Sequence, residues 1–266
     1  MNRALNPCVR IATLDIETSP ILAYVWGLFK QFVAINQIHT DWSILSFSYK
    51  WLDEKRVVHH CTGGRGKHKV RDDKALMKLL WAVLDEADVI VAQNGVRFDM
   101  KKINARLLEY DMPPPSPYKV VDTMLEAKRI AAFSSNRLAW LSEVLSETRK
   151  SEHKKFPGFE LWLECMEDNP EAWAEMKKYN NIDILATEAV YLKLRPYIIG
   201  HPNIAAYNDS TDTQCPKCSS KNMQRRGFAR TQSGEYFRYQ CKSCGGWARG
   251  RYTKNRREKR VSLLSN

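Results

Sequence analysis

Four cysteines near the C-terminus divide this chain into two parts that must fold by different means. Cys215, Cys218, Cys241 and Cys244 form two C-x2-C pairs separated by a 22-residue spacer, close to the usual spacing of a tetrahedral structural zinc site. Each tight pair offers two thiolates from a single turn, and the spacer is long enough for a hairpin that carries the second pair back to the first. Two disulfides are the alternative, but nothing else in the sequence points to an oxidising compartment. The spacing therefore predicts a small zinc-ribbon domain over residues 215–250 with one structural Zn²⁺. Cys8, Cys61 and Cys165 show no pairing pattern and are expected to be small, reduced, partly buried side chains without a function.

Charge divides at the same place. From Cys215 onward there are fourteen Lys or Arg and two acids, Glu235 and Glu258, which account for the whole formal net charge of +12. Of the chain's 42 bases and 30 acids, 28 of each lie before that point. A basic module of this kind points to a polyanion, because Lys and Arg that neutralise phosphates release condensed counterions whatever the sequence. A solvated basic tail is the plainer reading. The module's aromatics, Phe228, Tyr236, Phe237, Tyr239, Trp247 and Tyr252, suit stacking on bases or the ribbon's own small core. Residues 200–214 are polar and aperiodic and read as a linker, and 251–266 as a basic C-terminal tail.

The first part alternates strand and helix signals, as an α/β domain should. Strands are expected at Arg10–Ile16, Ala23–Gly27, Ile44–Trp51, Arg56–Cys61, Asp88–Ala92 and Lys119–Val121. Helices are expected at Lys74–Leu84, Asp99–Tyr110, Leu125–Ala132 and Leu138–Leu145. A further helix should start at Asn169-Pro170, a capping side chain before a first-turn proline, and run to about Leu194. With 44% hydrophobic and 27% charged residues, intrinsic disorder is excluded for most of the 266 residues. No apolar run approaches the roughly 18 residues that cross a bilayer, and Met1–Arg10 has no apolar signal core, so a soluble cytoplasmic protein with no membrane partner is expected. The Thr62–Lys69 stretch resembles a phosphate loop only superficially, since Cys61 stands where the first glycine is required and His68 where Ser or Thr is needed; a flexible basic loop is the better reading.

Acidic residues carry the functional signal. Asp15 and Glu17 lie two apart at the end of an apolar strand, so they share one face of the sheet. Like charges this close persist where solvent or a hard divalent cation offsets them, although a strand end entering a turn also carries acids innocently. Asp99 follows a strand in the run Asn94-Gly95-Val96-Arg97-Phe98-Asp99 and opens a helix, where it would also serve as an ordinary N-cap. Tyr179 and Asp183 are i, i+4 on the last helix and share a face. Asp122 occupies a similar strand end, but a structural role is the better reading.

The order D-x-E, N-G-x-x-F-D, Y-x3-D resembles the DEDD 3′–5′ exonucleases of the ribonuclease H-like superfamily, in the subclass whose third motif carries Tyr. The likeness covers about residues 9–196, and no family motif falls between Asp111 and Asn169. It implies a mixed sheet flanked by helices over residues 1–199 and two Mg²⁺ or Mn²⁺ ions about 4 Å apart. By the same resemblance Asp15 bridges both ions, Glu17 and Asp183 complete the nucleophile-side ion, Asp99 holds the other, and Tyr179 orients the attacking water. Asn94 and Phe98 would contact the terminal nucleotide. The appended cysteine module is similar to that of predicted exonucleases of bacteriophages and mobile elements, which would place the protein in a host cytosol. DNA is the favoured nucleic-acid partner over RNA. Three rivals remain: a non-catalytic binding scaffold on a degenerate nuclease fold, a ribonuclease, and a strand-transfer enzyme on the same fold.

Overall fold

β1 (Ile11–Thr18) is a central strand: its first four residues are buried on both faces, and its acids come only in the second half. The computed structural model describes residues 9–148 and 155–264; Cys8 lies outside them. After β1 come β2 (Leu22–Ala23), β3 (Ile38–Thr40), β4 (Ile44–Trp51), β5 (Val58–Cys61), α1 (Lys74–Glu86), β6 (Val89–Ala92), α2 (Asp99–Glu109) and β7 (Lys119–Asp122). Then follow α3 (Thr123–Ile130), α4 (Leu138–Leu145), α5 (Glu160–Met166), α6 (Pro170–Leu194), β8 (Met223–Thr231), β9 (Gly234–Cys241), β10 (Trp247–Arg249) and α7 (Arg257–Ser262). The chain divides into two compact units, Arg10–Tyr191 and a second from Leu192 onward.

The first unit is built on a mixed five-stranded sheet in the order β5-β4-β1-β6-β7. β4 runs antiparallel to β1 and β5, whereas β6 lies parallel to β1 and β7. Alternation along β1 assigns its two faces. Ala12, Leu14 and Ile16 join Leu76, Leu80 and Ile103 of α1 and α2 in one core. On another core Leu45 of β4 packs with Leu161 and Cys165 of α5 and Ala172, Trp173 and Met176 of α6. Each core buries an apolar stripe that neither helix nor strand could cover alone. The result is the α/β sheet flanked by helices that the sequence implied.

Two expectations are corrected, and two elements were not foreseen. Ala23–Gly27 is not a strand of the sheet: only Leu22–Ala23 pairs, with β3, in a separate two-stranded ribbon. The stretch is apolar without alternation, so it has no face that a sheet could bury. α5 and β3 carried too few periodic residues to be read. The Thr62–Lys69 loop is pinned rather than flexible: Asp168 accepts from the amides of Gly64 (2.7 Å) and Gly66 (2.6 Å), and Arg65 donates to the carbonyls of Thr62 and Asp72. The Asn169 cap is in place, accepting from the Glu171 amide at 3.0 Å.

In the second unit β8, β9 and β10 form a three-stranded antiparallel sheet. Ile198 and Ile204 are buried, and the Ile204 amide donates to the Pro216 carbonyl at 2.7 Å, so part of residues 200–214 is packed. Beyond β10, Thr253 and Asn255 bond to Glu235 of β9. Among the described residues, no helix is long and apolar enough to cross a membrane.

A Cβ at Gly63 would sit 2.3 Å from the Trp173 ring, which is buried and held by an Nε1 bond to Asp168 at 2.7 Å. Gly63→Ala is expected to cost about 1–3 kcal/mol by overpacking, read as a lower midpoint in urea unfolding. An unchanged midpoint would show that loop and helix can separate freely.

Candidate active site

Period-two alternation puts Asp15 and Glu17 on the face of β1 opposite Leu14 and Ile16. Their cross-strand partners on β4 are Ser48 and Ser46, small side chains that leave room above the sheet. α6 covers this face with a stripe in which polar residues replace apolar ones: Asn180, Asp183 and Thr187 are all buried, at i, i+3 and i+7. One ligand oxygen from each of Asp15, Glu17 and Asp183 lies within 4.8 Å of the other two. Tyr179, one turn before Asp183, is half-buried and meets Trp162 edge-on at 6.1 Å between ring centroids.

Asp99 is next to this group but outside it. It occupies the first position of α2 after Phe98, which is the cap residue, so the expected alternative of Asp99 as N-cap is replaced by another arrangement. Its Oδ1 accepts from the Ile16 amide at 3.1 Å, between the two acids of β1. Burial pushes its pKa up to about 7, the charge of Asp122 acts in the same direction, and the Ile16 amide opposes both.

The turn that delivers Asp99 is tight. Asn94 has φ of 61°, a left-handed conformation that asparagine tolerates better than most residues. A Cβ at Gly95 would fall 2.4 Å from that of Ala92, so only glycine fits. Asp122 fixes the turn, accepting from the amides of Asn94 (3.0 Å) and Val96 (3.1 Å) while it caps α3 through Met124 and Leu125. Its oxygens are therefore committed to amides, as a structural role requires. Phe98 is partly exposed at the same turn.

Asn180 was missed in the sequence. Its Nδ2 donates to Asp15 Oδ2 at 2.5 Å, which ties down one oxygen of that carboxylate. Behind it lies a polar relay. Ser48 Oγ donates to Asn181 Oδ1 (2.9 Å) and lies 2.9 Å from His59 Nδ1. Burial, helped by the charge of Lys177, lowers the His59 pKa to about 4, so the ring is neutral. The available signal was a polar residue at a position of α6 where the buried stripe calls for an apolar one.

In the second unit the four cysteines are free thiols whose sulfurs also gather within 4.8 Å. Cys215 and Cys244 Sγ are 3.6 Å apart, and Cys218 and Cys241 Sγ 3.7 Å. A tetrahedron with Zn–S bonds of about 2.3 Å has edges of about 3.8 Å, whereas a disulfide needs about 2.05 Å. Amides of Lys217 and Gly246 point at the Cys215 and Cys244 sulfurs. The hairpin's aromatics underlie cations: Arg225 lies over Phe237 (4.7 Å), Arg238 over Trp247 (4.8 Å), Arg249 over Tyr236 (4.3 Å) and Lys254 over Phe228 (3.7 Å).

Comparison with known proteins finds that the model of the RNase_H superfamily matches residues 39–195, more than half of the 266 residues. The chain belongs to the RNase H superfamily. Within the RNase H superfamily match lie Asp99, Tyr179 and Asp183, whereas Asp15 and Glu17 precede it. The solved structure of the family B DNA polymerase from the hyperthermophilic archaeon Pyrobaculum calidifontis is similar, with a TM-score of 0.52 at 18% identity. The similarity covers 72% of this chain and 25% of the polymerase, so the chain spans about a quarter of that protein and the likeness is one of fold. No curated protein matches the sequence.

Three carboxylates gathered on an RNase H superfamily sheet are hard oxygen donors suited to Mg²⁺ or Mn²⁺. Because Asn180 orients Asp15, Asn180→Ala is expected to weaken Mn²⁺ binding about 10–100-fold in calorimetry on the folded variant. Unchanged affinity would mean that Asp15 holds its orientation without the amide.

Proposed function

We propose that this protein is a metal-dependent 3′–5′ exonuclease of the Tyr-containing DEDD class, acting on DNA, with a zinc ribbon that grips the nucleic acid. The observation that carries the reading is the meeting of Asp15 and Glu17 from β1 with Asp183 from α6, one turn beyond Tyr179. Asp15 would be shared between two cations, with Glu17 and Asp183 completing the ligation of one and Asp99 holding the other. Bound cations would offset the cluster's charge and supply an activated water and a positive clamp on the scissile phosphate. The Tyr179 hydroxyl orients the attacking water, and Asn94 and Phe98 at the β6–α2 turn meet the terminal nucleotide.

In the second unit, Cys215, Cys218, Cys241 and Cys244 would hold one Zn²⁺, and residues 215–250 form the ribbon. The arginines stacked on its aromatics are the phosphate contacts, while the rings order them. The gathered acids argue against a degenerate scaffold. A DNA polymerase among the similar folds supports DNA over RNA, and the resemblance to phage and mobile-element nucleases places the activity in a host cytosol.

The decisive experiment is digestion of 3′- and 5′-end-labelled DNA and RNA, single- and double-stranded, with Mn²⁺ and with EDTA. A ladder shortening from the 3′ end that EDTA abolishes is expected; strand transfer or internal cuts would overturn the reading. Asp15→Ala, Asp99→Ala and Asp183→Ala should each abolish cleavage in a folded protein, because water cannot replace a ligand in the same geometry. Tyr179→Phe should slow turnover on the order of 10²-fold with metal binding unchanged.

For the ribbon, elemental analysis should find one zinc per chain, lost in Cys215→Ser. Replacing Arg225, Arg238 and Arg249 together by Gln should weaken DNA binding and flatten the dependence of log affinity on log salt by about 0.7–0.9 per phosphate contact removed. An unchanged slope would take these arginines out of the interface.

A further inference from the structure

Between Ser19 and Asp41 the first unit carries its most apolar surface, and the sheet does not cover it. Trp26 and Phe32 are 100% and 99% exposed and Phe29 is 86% exposed, with Tyr24, Leu28 and Ile35 exposed beside them. Water-facing rings in such number mark a recognition surface rather than a stray side chain.

The loop is not loose at its base. Arg71 donates to the Pro20 carbonyl (3.1 Å), the Asp41 carbonyl (2.8 Å) and Ser19 Oγ (3.1 Å), fastening both feet with one guanidinium. Ser43 N donates to Ser19 Oγ at 2.8 Å. Higher up, Gln37 acts as a staple: its carbonyl accepts from Tyr24 N (2.9 Å), its Nε2 donates to the Tyr24 carbonyl (3.0 Å) and its Oε1 accepts from Ala34 N (2.8 Å). Tyr24 also meets His39 edge-on at 5.5 Å. What projects from this fastened base is the stretch from Val25 to Val33, with the three rings on it.

Two further observations identify the occupant. The chain enters the loop directly from the strand that carries Asp15 and Glu17, and an extended chain of nine residues reaches at most about 32 Å, so Trp26 lies within a few nucleotides of Glu17. From Thr18 to Thr40 there is no acid, while Lys30 sits between Phe29 and Phe32. A surface of flat rings with one cation and no carboxylate suits bases joined by phosphates, since every base has a π face and the phosphates meet no repulsion.

We propose that the Tyr24–Ile35 loop is the stacking platform on which single-stranded nucleic acid rests as its 3′ end enters the carboxylate site. The proposal deepens the exonuclease reading and rests on it for the direction of the strand. Trp26, Phe29 and Phe32 stack on unpaired bases, and Lys30 meets the intervening phosphate. Duplex bases are already stacked on each other and offer the rings no face except at a frayed end.

The test is equilibrium binding of a short fluorescent single-stranded DNA to the full chain in EDTA, where no cleavage occurs. Trp26→Ala and Phe32→Ala should each weaken binding about ten-fold, with the salt slope unchanged because no charge is lost. Trp26→Phe, which keeps a ring, should restore most of the affinity, and a blunt duplex should lose little in any variant. Both residues are fully exposed, so the substitutions leave the fold intact. Unchanged single-strand affinity in the Trp26→Ala, Phe32→Ala double variant overturns the proposal. So does sedimentation showing that the wild type self-associates through this loop while the double variant is monomeric and binds DNA normally; the loop is then an interface between copies. Because the assay contains no metal, it stands or falls separately from cleavage: a protein that binds through the loop but digests nothing contradicts the exonuclease reading alone.

Discussion

Three carboxylates held within 4.8 Å of one another repel, and the first unit has to be stable in spite of that. At an effective dielectric constant near 20, each pair of charges at this distance costs about 3 kcal/mol. Three such pairs rival the roughly 5–15 kcal/mol by which a domain is stable at all. The cost is borne by the most strongly supported elements of the fold. β1 is hydrogen-bonded on both sides, and α6 is anchored by Ala172, Trp173 and Met176 at one end and by Val190 and Tyr191 at the other. A divalent cation removes the repulsion, which is why so unfavourable a cluster reads as a metal site rather than as an accident of the surface.

The acids around this cluster are not equivalent, and their hydrogen bonds sort them. Asp122 has given its oxygens to four backbone amides and shapes the turn before α2. Asp99 accepts from the Ile16 amide and is otherwise buried, which raises its pKa. Asp15 has one oxygen fixed by Asn180, and the neutral His59 lies behind that amide. The sequence shows the same letter at all three positions, and the partners of Asp122 agree with the structural role expected for it.

Legibility followed periodicity. β4, α1 and α2 were readable because each repeats apolar residues at period 2 or 3.6 over enough length, β1 and β6 as apolar runs bounded by polar residues, and α6 from its Asn169-Pro170 start. The two-stranded ribbon was misread because Ala23–Gly27 is apolar at nearly every position, so its pattern cannot distinguish a buried strand from an exposed loop. β8 escaped notice because Arg225, Arg226 and Arg230 interrupt any alternation, and its bulge at Gly227 (φ 70°) shifts the register besides. The chain order of Asp15, Glu17, Asp99, Tyr179 and Asp183 was visible, but Asn180 was not, because its meaning depends on which face of α6 is buried. The aromatics of the second unit were left open between core and base stacking, and the structure shows a third use, as seats for arginine and lysine.

Electrostatics also explain why such a site would need help. On the exonuclease reading, a cluster of acids repels the phosphates it would cleave, and the first 214 residues, with 28 bases against 28 acids, have no net charge to overcome that. Long-range attraction would then come from the basic second unit, where ring-seated guanidiniums would lose less freedom on meeting a phosphate than free ones. Counterion release draws in any nucleic acid and cannot tell a 3′ end from an internal stretch. Selection of the end would then fall to short-range groups of the first unit, where rings without charge, such as Phe98 and those of the Tyr24–Ile35 loop, would add affinity without adding to the repulsion. Attraction and selection thus use different forces, one weakened by salt and the other not.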